Sequence, residues 1–530
     1  MSLSVKATGL AARAVSETVA ELVSAKIASR IAAKDFTIWG PEAESESAIR
    51  LGWVSSAFDT APLIPEILKL REDFAAAGVN RFVLCGMGGS SLAPEVITKN
   101  HGVELVVLDS TEPEQVLGVV SEGIERTAII VSSKSGSTVE TDSQKRIFEA
   151  AFTEAGIEKT TRIIIVTDPG SPMEAAAKAD GYKIFNADPN VGGRYSALTA
   201  FGLVPSGLAG ADIQTLVAEA QAVAELLATD SESNPGLILG AAMARTQGLS
   251  SYKDKLAILA DSSLPGFGDW AEQLIAESTG KIGRGVLPVV LDASSFELSA
   301  GQADLLLAKV SAAETDNSEG LAVWGSLGAQ FILWEYATAV ASYLLGVNPF
   351  DQPDVESAKI AARGMLEKRA AIVAPIFSYA GIDVRAHNLD LSASEDVSAA
   401  LHTLLATLKS DGYVSIQAYL NRNGNYDAEA LRNVVAAKST RPTTFGWAPR
   451  FLHSTGQYHK GGPKQGVFIQ LIAHSEKDVQ VPNRDFTLGQ LIASQAAGDA
   501  QVLADLGRPV LSLTLTNSEA NFSELLKILG

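Results

Sequence analysis

The sequence predicts an α/β fold built from doubly wound parallel sheets with helices on both faces. Short runs rich in β-branched residues alternate with segments of helical length and period. The runs show no polar alternation, as expected for strands buried on both faces of a parallel sheet. Three of the runs end in turns rich in Gly, Ser and Asp, and ligands of such sheets bind beyond the carboxyl ends of the strands. A chain of 530 residues exceeds one ordinary core, so more than one domain is expected.

The predicted elements follow one another in two series. Residues 1–35 have charges at helical spacing with apolar residues between them, which predicts an amphipathic helix. The first series of predicted strands comprises Arg81–Cys85, Val103–Leu108, Ala128–Val131, Ile163–Val166 and Lys183–Phe185. The second comprises Leu256–Ala260, Val286–Leu291, Val414–Ala418, Val467–Ile472 and Val510–Leu515, with a long helix at about Gln330–Leu345 and another after Pro353. We therefore expect a helical segment at 1–60, one α/β domain at 61–215, and a second at 216–530 that contains inserted helices.

The amino-acid composition argues against several classes of binding partner and indicates a cellular compartment. The formal net charge of -19 argues against general binding to nucleic acid or anionic membranes. No run approaches the ~18 apolar residues of a membrane span, and the N-terminal segment resembles neither a signal peptide nor a transit peptide. The single Cys85 rules out an intramolecular disulfide and fits a reducing compartment as an inert core thiol. We expect a cytoplasmic protein with no nucleic-acid partner and no membrane contact.

A cluster of hydroxyl side chains lies where a predicted strand ends and a helix begins. Free amides at a helix N-terminus and nearby hydroxyls form an anion site, and a lysine adds positive charge. A simple N-cap is the alternative, although a cap needs fewer hydroxyls. The cluster therefore predicts a phosphate site that comprises Ser133, Lys134, Ser135, Ser137 and Thr138.

The turn from Gly86 to Ser91 is a weaker candidate for a phosphate loop. Its glycine spacing is not that of a dinucleotide-binding fingerprint, because position 91 is Ser. No Gly-Lys-Ser/Thr follows, so the turn is not a P-loop either. The sequence thus disfavours an NAD or ATP enzyme.

Three further residues have chemistry that suits a catalytic site, each with an ordinary alternative. Arg194, within Gly192-Gly193-Arg194-Tyr195-Ser196, could stabilise an oxyanion or bind phosphate, or could merely close a loop. Glu277 could act as a general base, although a Glu three residues before a Gly at a helix end is usually a surface residue. Lys359 lies two helical turns after Gln352 on the same face, where a lone lysine would usually be solvated.

The six histidines show no metal-ligand spacing with Cys or carboxylates, so no metal site is expected. His453 and His459 lie close to glycines and a lysine. This setting favours a polar pocket over the core for both histidines.

Four segments together resemble the phosphoglucose isomerase, or glucose-6-phosphate isomerase, family. They are the hydroxyl cluster 133–138, Gly-Gly-Arg-Tyr-Ser at 192–196, Gln-Leu-Ile-Ala-Glu-Ser-Thr-Gly-Lys at 273–281, and Asn-Pro-Phe-Asp-Gln-Pro-Asp-Val-Glu at 348–356. The resemblance extends from about Trp39 to the C-terminus. It implies two sugar-isomerase (SIS) domains of flavodoxin-like topology, with peripheral helices. It also implies a homodimer that interconverts glucose 6-phosphate and fructose 6-phosphate without metal or organic cofactor.

The resemblance also implies roles for individual residues. Gln273 and Gln352 match substrate-binding glutamines, and Glu277 matches the base that moves a proton between C2 and C1. Arg194 matches the arginine that stabilises the enediolate, and Lys359 matches the lysine associated with ring opening. The residues implied to bind the sugar phosphate are Ser90 and Ser91 in a first loop, and Ser133, Lys134, Ser135 and Thr138 in the phosphate cradle.

The order of the motifs departs from the family pattern. The family's catalytic His follows the base and precedes the Asp-Gln-Pro motif, but no His lies between Glu277 and Lys359. A similar Leu-His-Ser-x-Gly-Gln element occurs instead at 452–457, so the chain resembles the isomerase half of transaldolase–isomerase fusions. We expect a rearranged chain order with His453 as the ring-opening His, because a site is defined by geometry rather than by sequence order. His459 and His474 are the alternatives, and action in cis or in trans stays open.

Three other activities are compatible with the motifs. A broader isomerase would also accept mannose 6-phosphate, and a catalytically silent SIS protein would only bind sugar phosphates. An aminosugar isomerase would need an ammonia source that the sequence does not show. The presence of both Glu277 and Lys359 favours an enzyme, because a pure sensor needs no base.

Overall fold

The computed structural model describes residues 3–245, 254–368 and 373–530. Strands and helices alternate along most of this length. The strands are β1 Ser4–Thr8, β2 Arg81–Gly86, β3 Val106–Leu108, β4 Thr127–Ser132, β5 Ile163–Thr167, β6 Lys183–Asn186, β7 Lys255–Ala260, β8 Leu287–Leu291, β9 Leu305–Ser311, β10 Gly320–Trp324, β11 Phe377–Tyr379, β12 Ile382–His387, β13 Tyr413–Tyr419, β14 Thr443–Trp447, β15 Gly466–Ala473 and β16 Val510–Leu515.

The helices mostly connect consecutive strands, as expected for crossover connections. They are α1 Gly9–Ser24, α2 Ile27–Ala32, α3 Glu44–Ser47, α4 Ser56–Asp59, α5 Ile64–Ala76, α6 Leu92–Asn100, α7 Pro113–Ser121, α8 Val139–Glu154, α9 Pro172–Asp180, α10 Ala200–Ala209, α11 Ile213–Ala228, α12 Pro235–Arg245, α13 Phe267–Thr279, α14 Glu297–Ala300, α15 Leu327–Leu345, α16 Pro353–Lys368, α17 Val397–Ala406, α18 Ala430–Ser439, α19 Gly456–Gly461, α20 Leu488–Asp505 and α21 Ser518–Leu529.

The first sheet has the strand order β3-β2-β4-β5-β6, and all its neighbours pair in parallel. Strands β2, β4 and β5 are buried along their whole length, as their uninterrupted apolar runs predicted. Cys85 lies in β2, and burial raises the pKa of its thiol. The carboxyl ends of β2 and β4 therefore lie side by side and present the 86–91 turn and the 133–138 cluster at one edge.

The second sheet has the order β1-β10-β9-β7-β8. Strand β1 pairs antiparallel with β10, from Ser4 opposite Trp324 to Thr8 opposite Gly320, while the other neighbours are parallel. The N-terminal segment, predicted to be helical, thus begins with an edge strand before α1. Helix α15 confirms the long helix predicted near Gln330–Leu345, and nearly all of its residues are buried.

A third sheet has the order β11-β12-β16-β15-β13-β14. The second series of strands was predicted to form one doubly wound unit, but it divides between the second and third sheets. The third sheet has its own apolar core, in which Ile416, Leu471 and Leu513 pack with Leu404, Leu431 and Phe522 from neighbouring helices. Buried parallel strands look alike in sequence whichever sheet they join, so their apolar runs did not distinguish the two sheets. The limits 61–215 and 216–530 stay predictions.

None of the helices within the described ranges combines the length and the apolar character needed to cross a lipid bilayer.

Candidate active site

The site forms where the edge of the first sheet meets two loops from elsewhere in the chain. The backbone of the 86–91 turn touches both loops so closely that side chains would not fit. A Cβ atom on Gly88, whose φ is +54°, would lie 2.4 Å from the carbonyl oxygen of His453. A Cβ atom on Gly89 would lie 2.2 Å from the carbonyl oxygen of Gly193. The turn therefore brings the 192–196 motif and the C-terminal histidine to one place.

Arg194 joins three of the sequence motifs through a single guanidinium. The residue is only 3% exposed. Its Nη1 donates to Gln352 Oε1 over 2.8 Å and lies 3.1 Å from Glu277 Oε1. Its Nη2 donates to the carbonyl oxygens of Pro349 and Asp351 over 2.7 and 2.8 Å. The fork of a guanidinium suits this task, because its donors have fixed directions.

Glu277 lies in the last turn of α13, directly beside this guanidinium. Gln273, one turn earlier on the same face, donates from Nε2 to Glu277 Oε2 over 3.2 Å and to the His453 carbonyl over 2.8 Å. Gln273 Oε1 is buried without a hydrogen-bond partner. Glu277, Gln273 and Arg194 bring a carboxylate, an amide and a cation to one point. This arrangement suits transfer of a proton next to a developing oxyanion.

The imidazole of His453 faces α8 of the first sheet unit. Its Nε2 lies 2.9 Å from Glu140 Oε1, and Gln495 from α20 donates to the same oxygen over 2.7 Å. Burial alone would raise the pKa of Glu140, but the charge and hydrogen bond of His453 outweigh it and lower the pKa below its ordinary value. Glu140 therefore accepts from Nε2–H, which fixes the orientation of the ring.

The predicted phosphate cradle lies between β4 and α8. Ser133 Oγ is 3.0 Å from Thr138 Oγ1 and accepts from the Gly136 amide over 3.2 Å. Thr138 is the N-cap residue of α8, yet its hydroxyl makes no capping hydrogen bond. The exposed Ser135 hydroxyl lies 3.0 Å from Ser137 Oγ. These hydroxyls are not used up by helix capping, so they stay available for a ligand.

Lys134 points away from these hydroxyls towards Asp168. Its ammonium forms an ion pair with that carboxylate and donates to the Pro189 carbonyl over 3.3 Å. Burial lowers the pKa of Lys134, which Asp168 partly opposes. The structure therefore places the Lys134 charge beside the cradle but already paired.

Ser90 and Ser91 are buried in the 86–91 turn. Ser91 Oγ contacts Asp109 Oδ2 at 3.3 Å. Arg450, which begins the short 3-10 helix that ends at His453, donates to Asp109 and to Glu95. The carboxylates of Asp109 and Glu95 raise the pKa of Arg450 despite its burial. This ionic cluster fastens the C-terminal block to the first sheet unit.

Helix α16 carries the last sequence-predicted residue, Lys359, which is 46% exposed and lies 3.7 Å from Glu356. Its charge is one of the smaller causes that lower the pKa of Glu140. Gln457 fixes the start of α16: its Oε1 accepts from the Asp354 amide over 3.0 Å, and its Nε2 donates to the Asp354 carboxylate over 2.6 Å. The C-terminal element 452–457 thus holds both His453 and the helix of Lys359.

Comparison with known proteins agrees with this arrangement. The family model described as phosphoglucose isomerase matches residues 72–301. A probable glucose-6-phosphate isomerase of Natronomonas pharaonis is 29% identical over 371 residues, which cover 60% of this chain and 86% of the relative. Residues 72–301 of the chain are thus similar to phosphoglucose isomerases. A probable glucose-6-phosphate isomerase of Haloarcula marismortui is 34% identical over 216 residues, 40% of this chain, and the chain spans only 49% of the length of that relative.

Two solved structures share the fold. A hypothetical protein of Thermus thermophilus superposes with a TM-score of 0.57 at 26% identity, covering 67% of this chain and 96% of its own. A glucose-6-phosphate isomerase of Chlamydia trachomatis gives a TM-score of 0.51 at 18% identity, covering 62% and 75%. The family match ends at residue 301, so the 348–356 motif and the His453 block lie outside it. Their convergence on Arg194 and Gln273 is a finding of the structure.

His459 is not part of this site, although a polar pocket was predicted for it. The residue is buried, with Nδ1 3.0 Å from the Tyr413 hydroxyl and Nε2 3.2 Å from Ser415 Oγ. Burial lowers its pKa well below the ordinary value, with help from Lys460 and Arg508. Its helix α19 packs into the aromatic core, which the neighbouring glycines permit. The other alternative, His474, is exposed at the end of β15.

Glu140 and Gln457 are the site residues that sequence reasoning missed. Glu140 lies in the first turn of α8, where an acidic residue is favourable on its own account, so nothing local indicated a partner. Gln457 belongs to the 452–457 element, whose resemblance to a family segment was the one available signal. Among the described residues, no group of three or more His, Cys, Asp or Glu could hold a metal ion.

Proposed function

We propose that this chain is an aldose–ketose isomerase that interconverts glucose 6-phosphate and fructose 6-phosphate. The observation that carries the proposal is the contact of Arg194 Nη1 with both Glu277 and Gln352, 3.1 and 2.8 Å away. A base beside a fixed cation suits removal of a carbon-bound proton, because the cation stabilises the enediolate that forms. A protein that only binds sugar phosphates needs no such pair.

The proposed reaction begins with opening of the sugar ring. His453 and Lys359 move a proton between the 1-hydroxyl and the ring oxygen, so that the ring C–O bond breaks and a free aldehyde forms at C1. The hydroxyls of Ser133, Ser135 and Thr138 hold the phosphate, which keeps C1 and C2 aligned with the base. Ser90 and Ser91 are proposed to contact the sugar phosphate from the 86–91 turn.

Isomerisation then needs one proton transfer in each direction. Glu277 takes the proton from C2, and the electron pair left behind forms the C1–C2 double bond of a cis-enediolate. Arg194 stabilises the negative charge on its oxygen. Glu277 returns the proton to C1, while the hydroxyl on C2 passes its proton to the oxygen on C1 and becomes the ketone. Atoms and electrons therefore balance without a redox partner.

The test is turnover of fructose 6-phosphate, coupled to an NADP-linked glucose-6-phosphate dehydrogenase in the presence of chelator. The variant is Glu277→Gln, and the matched control is Glu272→Gln on the same helix. Burial raises the pKa of Glu272 well above its ordinary value, and the control makes the same change of side chain on the same helix. We expect Glu277→Gln to lose at least about 100-fold in kcat, in line with removal of a general base, and Glu272→Gln to keep wild-type turnover. Absence of turnover in the wild type, with saturable binding of the sugar phosphate, would contradict the proposal.

We further propose that the protein works in the cytoplasm as a homodimer with the sugar phosphate as its small-molecule partner. The buried, single Cys85 and the net charge of -19 suit a reducing, aqueous compartment without nucleic-acid contacts. Light scattering after gel filtration tests the dimer, and a monomeric mass with full activity would contradict it.

A further inference from the structure

Lys281 is a buried lysine next to the proposed site to which no role has yet been given. It follows α13 by two residues and is only 3% exposed. Its ammonium donates to the carbonyl oxygen of Asn348 and lies 2.8 Å from Asp351 Oδ1. Both partners belong to the segment Asn348–Gln352, here called the 348–352 loop. Lys281 thus binds one side of this loop.

Arg194 binds the other side of the same loop. It donates hydrogen bonds to the carbonyl oxygens of Pro349 and Asp351 and to the side-chain oxygen of Gln352. Together with Ser278 Oγ on α13, which accepts from Nε over 3.0 Å, these acceptors restrain the guanidinium and hold its Nη1 3.1 Å from Glu277. The loop therefore lies between two cations, and the position of Arg194 depends on where Lys281 holds the loop.

The ammonium lies in surroundings that are unfavourable for a charge. Burial, and next the positive charge of Arg194, lower the pKa of Lys281 to about 7, against the opposing effect of the Asp351 and Glu277 carboxylates. A buried charge is weak evidence for stability, since an apolar side chain of similar size often serves as well or better. The geometry, by contrast, gives the ammonium a definite task.

We propose that Lys281 is a positioning residue of the isomerase site: it holds the 348–352 loop where the oxygens of that loop fix Arg194 beside Glu277. This inference rests on the proposed function. Without Lys281, the Asn348 carbonyl and the Asp351 carboxylate lose their cation, and the loop relaxes away from α13. Arg194 then follows its acceptors and leaves the point where negative charge develops. The substitution therefore slows the chemical step and leaves binding of the phosphate, which occurs at the cradle, largely unchanged.

The experiment compares Lys281→Met and Lys281→Arg with the wild type. For Lys281→Met we expect kcat to fall about 10- to 100-fold, which is at or below the loss caused by removing one oxyanion donor. We expect KM to change by less than about threefold, because different residues bind the phosphate and carry out the chemical step. Lys281→Arg, which keeps a charged donor, should recover at least part of kcat. The midpoint of thermal unfolding of Lys281→Met should stay at or above that of the wild type.

The pH profile gives a readout that a merely structural role would not move. The groups that face Lys281 are Arg194, Glu277 and Asp351. As pH rises through about 7, Lys281 loses its charge, so kcat/KM of the wild type should decline on the alkaline side. Because kcat/KM reports the free enzyme, and because arginine stays charged, this decline should be absent from Lys281→Arg.

Lys255→Met is the matched control, since Lys255 is equally buried but is bound by Asp254, Asp304 and the Asp411 carbonyl, which lie outside the 348–352 loop, and the change leaves two carboxylates without their cation. It should lower stability without changing kcat of the folded protein. Wild-type turnover together with unchanged kcat and pH profile in Lys281→Met would overturn the inference. Absence of wild-type turnover would instead overturn the proposed function, so the two failures are distinguishable.

Discussion

Glu140 Oε1 accepts from His453 Nε2 over 2.9 Å, although the two residues are separated by 313 positions in the sequence. The contact joins the first turn of α8, which begins at the phosphate cradle, to the C-terminal block. Because Nε2 is bound to Glu140, the opposite ring nitrogen, Nδ1, is the one that can exchange a proton. Because Glu140 is ionised, it also stabilises the charged imidazolium that ring opening would produce.

The first prediction concerns this carboxylate. Glu140→Gln keeps the shape and a polar contact but removes the charge, so His453 loses the stabilisation of its protonated form. We expect kcat on the cyclic substrate to fall at least about tenfold, towards the lower range of general acid–base contributions. Binding of an acyclic aldonic acid phosphate, one carbon shorter than the substrate and already open, should stay unchanged. Equal losses in turnover and in inhibitor binding would contradict a role in ring opening.

The second prediction is that His453 acts within its own chain. Its backbone is bound by Gln273 and its ring by Glu140 of the same chain, so a complete site needs no donated histidine. Co-expression of His453→Asn with Glu277→Gln should therefore yield no more activity than either variant alone. Activity recovered in purified hybrid dimers would show instead that His453 is supplied by a partner.

The third prediction uses His459, whose pKa is lowered well below its ordinary value by burial. The unfolded chain binds a proton at this residue below about pH 6.5 while the folded protein does not. Stability is therefore lost as pH falls below that value, by up to about 1.4 kcal/mol per pH unit from this group. His459→Gln should reduce the fall in unfolding temperature between pH 6.5 and 5. At pH 8 it should keep its kcat, whereas His453→Asn should not.

The fourth prediction separates the hydroxyls of the cradle from its lysine. Ser133→Ala removes an oxygen that organises both Thr138 and the Gly136 amide. We expect KM for fructose 6-phosphate to rise about tenfold, as for loss of one hydrogen bond to a charged group. Lys134→Met should raise KM less, because the ammonium is already paired with Asp168. The reverse order would mean that Lys134 leaves Asp168 for the phosphate when substrate binds.

Residues in short, specific motifs could be predicted from the sequence. Arg194, Glu277 and Gln352 each lie in a local pattern, and the structure brings all three together. His453 was predicted through an element displaced along the chain, and the structure brings its carbonyl to Gln273. Its role in ring opening stays a prediction. The first sheet was also predictable, because consecutive strands neighbour each other or nearly so.

Contacts over long sequence distances could not be predicted. Glu140 looks like an ordinary helix-start acid until the C-terminal block is folded against it. In the sequence Lys134 resembles a phosphate ligand. In the structure its ammonium forms an ion pair with Asp168, which follows the next strand. The division of the second strand series between two sheets depends on pairing partners, and apolar runs do not specify these.

Strand β1 has a consequence for the order in which the protein can be completed during synthesis. Its partner β10 is translated more than 300 residues later. At 5–20 residues per second, the ribosome takes roughly half a minute to produce that partner. Throughout this interval β1 lacks the strand with which it pairs. Residues 4–8 can therefore join the second sheet only after β10 has been made.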